Sequence, residues 1–462
     1  MKRALLAALA ALVLTATPAG AGPSLVVGAT ENAVLSSDPI SVAAQFGLAT
    51  NLGLKAVRLT VAWSPGQTAP DPAQLPAYTT TAQQAALLGI RVYLEVYPAA
   101  PSVVPADETG RAQFAQYLQG LAQALPQVHD FVIGSQVNNP AFWPQDTKTA
   151  ASYLALLAAG YDALKSTDPS LQVIAASLSA QHAPGTWILS LGQAYRKSGR
   201  AAPVMDALAI QPQNDNAAQP PSFVHPTGPI DIGDYPRLVA NLKRAFGNTA
   251  QPGATLPIVY DGYGVQTVIP PEKASLYAGA ETDAVDEQTQ GTSYIEALKL
   301  AACQPNVVAL LFHHTVDERD LGGLQSGLYY PDLTPKSDHE AVRATIASIA
   351  AGGSASCGEP AAPSEPSKPK PTPTTAAKLE LTIEGPTATL SCDRACYYVA
   401  VLENARGVPL RARQGSLTAA GTTSVTLSAQ SLPAGSYHLT VHAAPRVNPG
   451  EGVAEDGAPF EL

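Results

Sequence analysis

The sequence predicts an α/β protein: a (β/α)8 TIM barrel, then a Pro-rich linker and a small all-β sandwich domain. Three observations carry that expectation. Between Ser24 and Gly352 short apolar runs alternate with helix-like segments, the pattern of a parallel α/β chain. After Cys357 the composition changes to PAAPSEPSKPKPTPTTAA, an extended spacer with little capacity to pack. From Lys378 onward short segments of period two recur between turn signals such as Pro433-Ala434-Gly435. The expected divisions are a signal peptide over 1–21, the barrel over 22–357, the linker over 358–377 and the sandwich over 378–462.

Within the barrel region the first strand is expected at Leu25–Gly28 and the first helix at Pro39–Leu52. Ala56–Val61 reads as the second strand, Thr80–Leu88 as a helix and Arg91–Val96 as the third strand. A helix over Glu108–Leu125 leads to the fourth strand, Phe131–Ile133, which ends at Gly134 in a polar turn flanked by aromatics. Thr147–Lys165 and Trp187–Tyr195 read as helices around a fifth strand, Leu171–Ala176. Val204–Ile210 is the sixth strand, and a Pro-rich excursion, Pro220–Pro229, precedes a helix over Tyr235–Phe246. The seventh and eighth strands are expected at Pro257–Tyr260 and Val307–Phe312, with helices at Tyr294–Cys303 and Ala341–Ala350. Eight such pairs over this length suit a closed barrel, whose working face lies at the carboxyl ends of the strands. An open doubly wound sheet is disfavoured, because no G-x-G-x-x-G follows the first strand.

The N-terminus carries Lys2-Arg3, an apolar run over Ala4–Leu14 and a small-residue Ala19-Gly20-Ala21 site, which predicts export. That run is too short to span a bilayer, so a secreted chain without a stable membrane span is expected. With 462 residues, 46% hydrophobic and 14% charged, the chain can bury a large core. Its formal charge is −10, and no Lys/Arg cluster stands against it, which argues against a nucleic-acid partner. Four cysteines in an exported chain suit two disulfides, with Cys303 to Cys357 and Cys392 to Cys396 keeping each pair within one expected domain. Nothing spaces like a calcium loop, and no metal or cofactor is expected. Oligomeric state is left open.

The stretch Phe131 to Gln145, FVIGSQVNNPAFWPQ, resembles secreted clan-A-type (β/α)8 glycoside hydrolases, whose fourth strand ends in Gly-Asn-Glu-Pro-Asn before a Phe-Trp pair. Gly134, Asn138, Phe142 and Trp143 fit that pattern. Gln136 stands at the acid/base glutamate position, with Ser135 and Val137 in place of the flanking Asn and Pro. The second matching stretch is PIVYDGYGVQT, Pro257 to Thr267, where Asp261, Tyr263, Gly264, Gln266 and Thr267 fit and Gly262 stands at the nucleophile position. Gln325 to Tyr330, QSGLYY, completes the match, which covers the barrel from about Leu25 to Ala351 and not the C-terminal region. Retaining members of such families use two carboxyl groups about 5 to 5.5 Å apart. An amide cannot donate a proton as a carboxylic acid does, and glycine offers no attacking oxygen. After the sixth strand the family pattern suggests His-Pro-Tyr, and this chain reads Gln211-Pro212-Gln213.

The resemblance implies a sugar-lined cleft built from Arg58, Trp63, Asn138, Trp143, Tyr263, Phe312 and His313, with Tyr97-Pro98 beside it. The same residues also have structural readings: Arg58 as an ion-pair member inside the barrel, Trp63 and Trp143 as rim packing, His313 or His314 as hydrogen-bonded core groups. Glu95, Asp261, Asp317 and Glu318 are the carboxylates near the expected working face. Alternation along the strand points Asp261 away from position 262, toward a supporting place behind the site or one between strand and helix. Glu281, Asp283, Asp286 and Glu287 read as a solvated acidic loop. The leading expectation is a catalytically impaired barrel that binds carbohydrate, a polysaccharide or cell-wall glycan. The alternatives are an active O-glycosyl hydrolase using relocated carboxylates (Glu95, Asp261 or Glu318) and a cell-surface interaction module that binds no sugar.

Overall fold

The structure, a computed structural model, describes residues 25–146, 149–279, 283–352, 378–405, 409–430, 432–445 and 454–461. Eight strands close into a barrel: β1 (Val26–Thr30), β2 (Ala56–Trp63), β3 (Arg91–Pro98), β4 (Asp130–Ile133), β5 (Gln172–Ser179), β6 (Ala207–Gln211), β7 (Ile258–Tyr263) and β8 (Val307–His313). They pair in parallel in chain order, and β1 closes the ring on β8. The helices between and after them are α1 (Pro39–Leu52), α2 (Leu75–Leu87), α3 (Glu108–Ala124), α4 (Thr149–Thr167), α5 (Pro184–Ser198), α6 (Tyr235–Phe246), α7 (Glu287–Ala302) and α8 (His339–Ala350).

Helix ends follow local chemistry. Asp38 caps α1 by accepting from the Ile40 and Ser41 amides, Pro39 opens its first turn, and Gly53 at φ 86° ends it. Two helices begin earlier than expected. α2 starts at Leu75 rather than Thr80, with Pro76 in its first turn. α7 starts at Glu287 rather than Tyr294, because the Asp286 carboxylate accepts from the Thr289 amide and caps it. The acidic loop is accordingly more than a solvated surface. Glu287 accepts from the Ser337 amide and hydroxyl and from Tyr330, and Asp283 accepts from the Ala217 amide. Glu281 lies outside the described residues.

Strand alternation divides the barrel into two layers. Outward side chains, among them Val57, Leu59, Val61, Leu94, Val96, Phe131, Ile133, Leu208, Ile210, Leu310 and Phe312, join the helices in one large core. Inward ones, Ala56, Tyr93, Val132, Ile174, Ala207, Ala209, Val259, Ala309 and Leu311, form a second, apolar floor. Gly28 completes that floor because a Cβ there would meet the Ala56 carbonyl oxygen at 2.4 Å and Leu311 Cδ2 at 2.7 Å.

The C-terminal region is all β. β9 (Leu379–Glu384), β10 (Thr387–Cys392) and β13 (Gly421–Thr426) form an antiparallel sheet in the order β13-β10-β9. β11 (Cys396–Asn404), β12 (Pro409–Leu417), β14 (Ser436–Pro445) and β15 (Ala454–Glu461) form another in the order β12-β11-β14-β15. Ala388, Ala400, Leu402, Val425, Leu439 and Val441 are buried in one cluster drawn from both sheets. The Cys392–Cys396 disulfide bridges β10 to β11, with the Cα atoms 6.4 Å apart. Cys303 is also disulfide-bonded. Its expected partner Cys357, the expected signal peptide over 1–21 and the expected linker over 358–377 lie outside the described residues. Among the described residues no helix is long and apolar enough to cross a membrane.

Candidate functional site at the carboxyl ends of the strands

Two residues beyond the apolar floor, the inward positions turn polar. Thr30, Arg58, Glu95, Gln211, Asp261 and His313 are reached by continuing the same alternation along β1, β2, β3, β6, β7 and β8. Strand β5 reaches this layer differently. Its register shifts between Ala175 and Leu178, where Ala176 and Ser177 adopt φ of 82° and 44°, and the bulge turns Ser177 inward.

At the centre Arg58 Nη1 donates to Asp261 Oδ2 at 2.8 Å, to Ser177 Oγ at 3.3 Å and to Glu95 Oε1 at 3.4 Å. All four side chains are buried. Burial raises the pKa of Glu95, against the attraction of Arg58, and the charge of Asp261 raises it further. Burial likewise raises that of Asp261, opposed by Arg58 and by the Ser177 hydroxyl. Burial disfavours the Arg58 charge, yet Glu95 and Asp261 together outweigh it and keep the guanidinium protonated. One cation thus serves two carboxyl groups. The structure turns Asp261 into the barrel beside Val259, in a supporting place on Arg58 and not between strand and helix, because the inward frame runs through Val259 and not Tyr260.

The network continues across the mouth through amides. Ser177 Oγ accepts from Gln211 Nε2 at 2.9 Å, Gln211 Oε1 accepts from Gln136 Nε2 at 2.9 Å, and Gln136 Oε1 accepts from Asn139 Nδ2 at 2.7 Å. Gln136 sits on a tight turn after β4. Gly134 has φ 87°, and a Cβ there would lie 2.6 Å from Val137 Cγ1. Gln136 itself has φ 39°, and its amide is anchored on the Ser177 carbonyl at 2.8 Å. In β7, a Cβ on Gly262 would meet Gln211 Cγ at 3.4 Å, so the Gln211 side chain lies against that position. Gln136, Asn139, Tyr97 and Phe142 remain half-buried at the rim, with the Tyr97 and Phe142 rings 6.3 Å apart.

The remaining sequence candidates divide by face. Trp63 is buried against Phe114 with its Nε1 donating to the Gln67 carbonyl. Trp143 packs edge-on against Tyr153, Tyr263 lies against Tyr294, and Phe312 stacks on Tyr294 with centroids 4.6 Å apart. These four rings belong to the barrel–helix layer and present no face to the mouth. Asn138 is buried and ties the β4 turn to β5: its Oδ1 accepts from the Ser179 amide, and its Nδ2 donates to the Ser179 and His182 carbonyls. His313 Nδ1 lies 3.2 Å from Thr30 Oγ1. Burial, with His314 and Arg58 nearby, pushes its pKa down to about 3, so it is neutral at ordinary pH.

Glu318 stands apart from the Arg58 network. It faces His314 Nε2 at 3.4 Å and accepts from the Leu324 amide, lining a cleft of about 400 Å³ with Glu31, Asn32 and Arg319. His314 has φ 69°. Burial opposes its charge, but Glu31 and Glu318 raise its pKa overall. Asp317 is occupied by buried Lys336 at 2.9 Å and by Tyr277 OH at 2.8 Å. One group of residues places metal-ligating atoms together among those described: His225, Asp231 and Asp234, in the connection between β6 and α6.

No protein-family model matches the chain, and no curated protein matches it in sequence. Solved structures do match. A glucosidase from Croceicoccus marinus is 13% identical with a TM-score of 0.52, over 89% of this chain and 95% of that one. A GH39 enzyme from Xanthomonas axonopodis pv. citri is also 13% identical, with a TM-score of 0.47, over 95% of this chain and 92% of that one. At such identities the likeness is one of fold, and the first of these carries it. The barrel therefore has a (β/α)8 fold, the fold it shares with that glucosidase.

Proposed function

We propose that this chain is a secreted carbohydrate-binding protein on a glycoside-hydrolase scaffold, without the hydrolytic machinery. The observation that carries the reading is the hydrogen-bonded run Asn139–Gln136–Gln211–Ser177–Arg58 across the barrel mouth. By resemblance this is where a pair of glutamates would face a glycosidic bond, and here the two positions are the amide Gln136 and the bare Gly262. Amides donate and accept hydrogen bonds to sugar hydroxyls but do not exchange a proton at neutral pH. The half-buried Tyr97 and Phe142 rings beside Gln136 suit the apolar face of a neutral pyranose.

The nearest carboxyl groups are poorly placed to replace the missing pair. Glu95 and Asp261 are held by the same Arg58 nitrogen and are buried. Loss of a general acid alone typically costs a factor of about 10² to 10⁴ in rate, and loss of the nucleophile removes the double-displacement route. Export, with cleavage near Gly22, belongs to the same reading and rests on the N-terminal sequence.

The test uses the secreted full-length chain. Glycan-array binding is measured beside hydrolysis of aryl glycosides and polysaccharides with reducing-end detection. Binding without turnover, weakened by Gln136→Ala and by Tyr97→Ala, is the expected result. Enzyme-like turnover that disappears in Asp261→Asn or Glu318→Gln would establish relocated catalysis instead. Silence in both assays would leave a surface module that binds no sugar.

A further inference from the structure

We propose that the connection between β6 and α6 holds one divalent transition metal ion of the zinc type, ligated by His225 Nδ1, Asp231 Oδ2 and Asp234 Oδ2. These atoms come from three buried residues and all lie within 4.8 Å of one another. His225 Nδ1 is 2.7 Å from Asp234 Oδ2 and 3.6 Å from Asp231 Oδ2. Two ligand atoms of a tetrahedral ion with bonds of about 2.0 to 2.1 Å stand about 3.3 Å apart, and the two observed spacings bracket that separation.

An independent feature points to the ion. Asp231 is only 3% exposed, and its Oδ2 has no hydrogen-bond donor. The other oxygen of that carboxylate accepts from the Gln213 amide at 3.0 Å, which fixes the group and aims Oδ2 at the imidazole. A buried carboxylate oxygen without a donor is costly, and a cation between it and Nδ1 supplies the missing partner.

The surroundings have the form of an outer shell. His225 Nε2 faces Asp215 Oδ2 at 3.1 Å, the carboxylate–imidazole arrangement that orients a metal-bound histidine. Asp234 Oδ1 is held by Arg237 Nη2 at 2.8 Å and by the His225 amide at 3.0 Å, leaving Oδ2 toward the cluster. Oδ2 also accepts from the Asp231 amide at 3.1 Å. One imidazole and two carboxylates suit zinc or a similar ion better than calcium or magnesium, which favour larger all-oxygen sets. The Asp215 side chain is 44% exposed and marks the approach from solvent. Bound there, the ion would fasten the Pro-rich excursion around His225 to the turn that opens α6.

The test is zinc titration of the chelator-treated full chain by calorimetry, with cobalt(II) absorption as a probe of geometry. One zinc per chain and a tetrahedral cobalt spectrum are expected. Asp231→Asn and His225→Gln should each weaken zinc at least tenfold, and Asp215→Asn about tenfold through the imidazole. Zinc should raise the thermal midpoint of the native chain and not of Asp231→Asn, with circular dichroism confirming that the variant is folded. Failure of the folded native chain to take up zinc at tens of micromolar overturns the assignment. So does a single site that persists unchanged in both ligand variants, or uptake of calcium in preference to zinc.

Discussion

Removing the cation at the centre of the barrel is the most informative perturbation. Arg58→Met keeps much of the side-chain volume and deletes the donor that Asp261 meets at 2.8 Å and Glu95 at 3.4 Å. Both carboxyl groups then lie buried without a countercharge, a situation that typically costs about 3 to 5 kcal/mol. Proton uptake sets a ceiling on that cost. Protonating one aspartate of ordinary pKa 3.8 at pH 7 takes about 1.36 kcal/mol per unit over 3.2 units, or about 4.4 kcal/mol. Glu95, already held toward its neutral form by burial and by Asp261, adds little. A loss of about 3 to 4 kcal/mol at pH 7 is expected, or about 6 to 8 °C in Tm if a barrel of this size shifts by about 2 °C per kcal/mol.

The pH dependence gives the sharper check. Without Arg58 the folded pKa of Asp261 rises further above its unfolded value, so the folded state binds more protons. Stability from that group is full below the unfolded pKa and is lost as pH rises toward the folded one. The deficit relative to the native chain should therefore shrink to about 1.6 kcal/mol at pH 5 and nearly vanish at pH 4. Urea denaturation followed by circular dichroism at pH 7, 6 and 5 measures it. Adding Asp261→Asn to the variant should recover at least about 2 kcal/mol at pH 7. A deficit under about 1 kcal/mol, or one that does not fall with pH, would refute the account of the charge cluster.

Gln211→Ala removes the link between Gln136 and Ser177 and should cost about 1 to 2 kcal/mol in denaturation. It should also weaken glycan binding in the array assay. Gly192→Ala places a Cβ 2.4 Å from the Ala245 carbonyl oxygen where α5 meets α6, and should cost about 1 to 3 kcal/mol by thermal unfolding with no effect on glycan binding. Reducing Cys392–Cys396, which closes a loop with a sequence separation of 4, should destabilise the C-terminal sheets by about 2 kcal/mol on a chain-entropy account, read by hydrogen exchange in β10 and β11.

The strands were legible because each is a short apolar run bounded by turns, and closure of the ring followed from their number. Which side chains enter the barrel was legible only in part. Counting by twos from Arg58 puts Trp63 on the outer face, and counting back from His313 does the same for Phe312. The structure buries both rings among helices. Ser177 was beyond such counting, because the bulge at Ala176 and Ser177 inserts a step into β5 that no residue type announces. Gln211 appeared in the sequence as a departure from a family pattern, and its bonding to Gln136 needed three strands to be brought together. The His225 cluster was hidden for a similar reason, since its members lie in a Pro-rich connection whose path sets their spacing.

The contact between Gln211 and Gly262 has a consequence for substitution in β7. A Cβ introduced at 262 would touch Gln211 Cγ at 3.4 Å, an ordinary van der Waals distance, so an alanine fits there without displacing the amide. A longer side chain at 262 would instead run alongside Gln211, whose amide already holds Gln136 and Ser177.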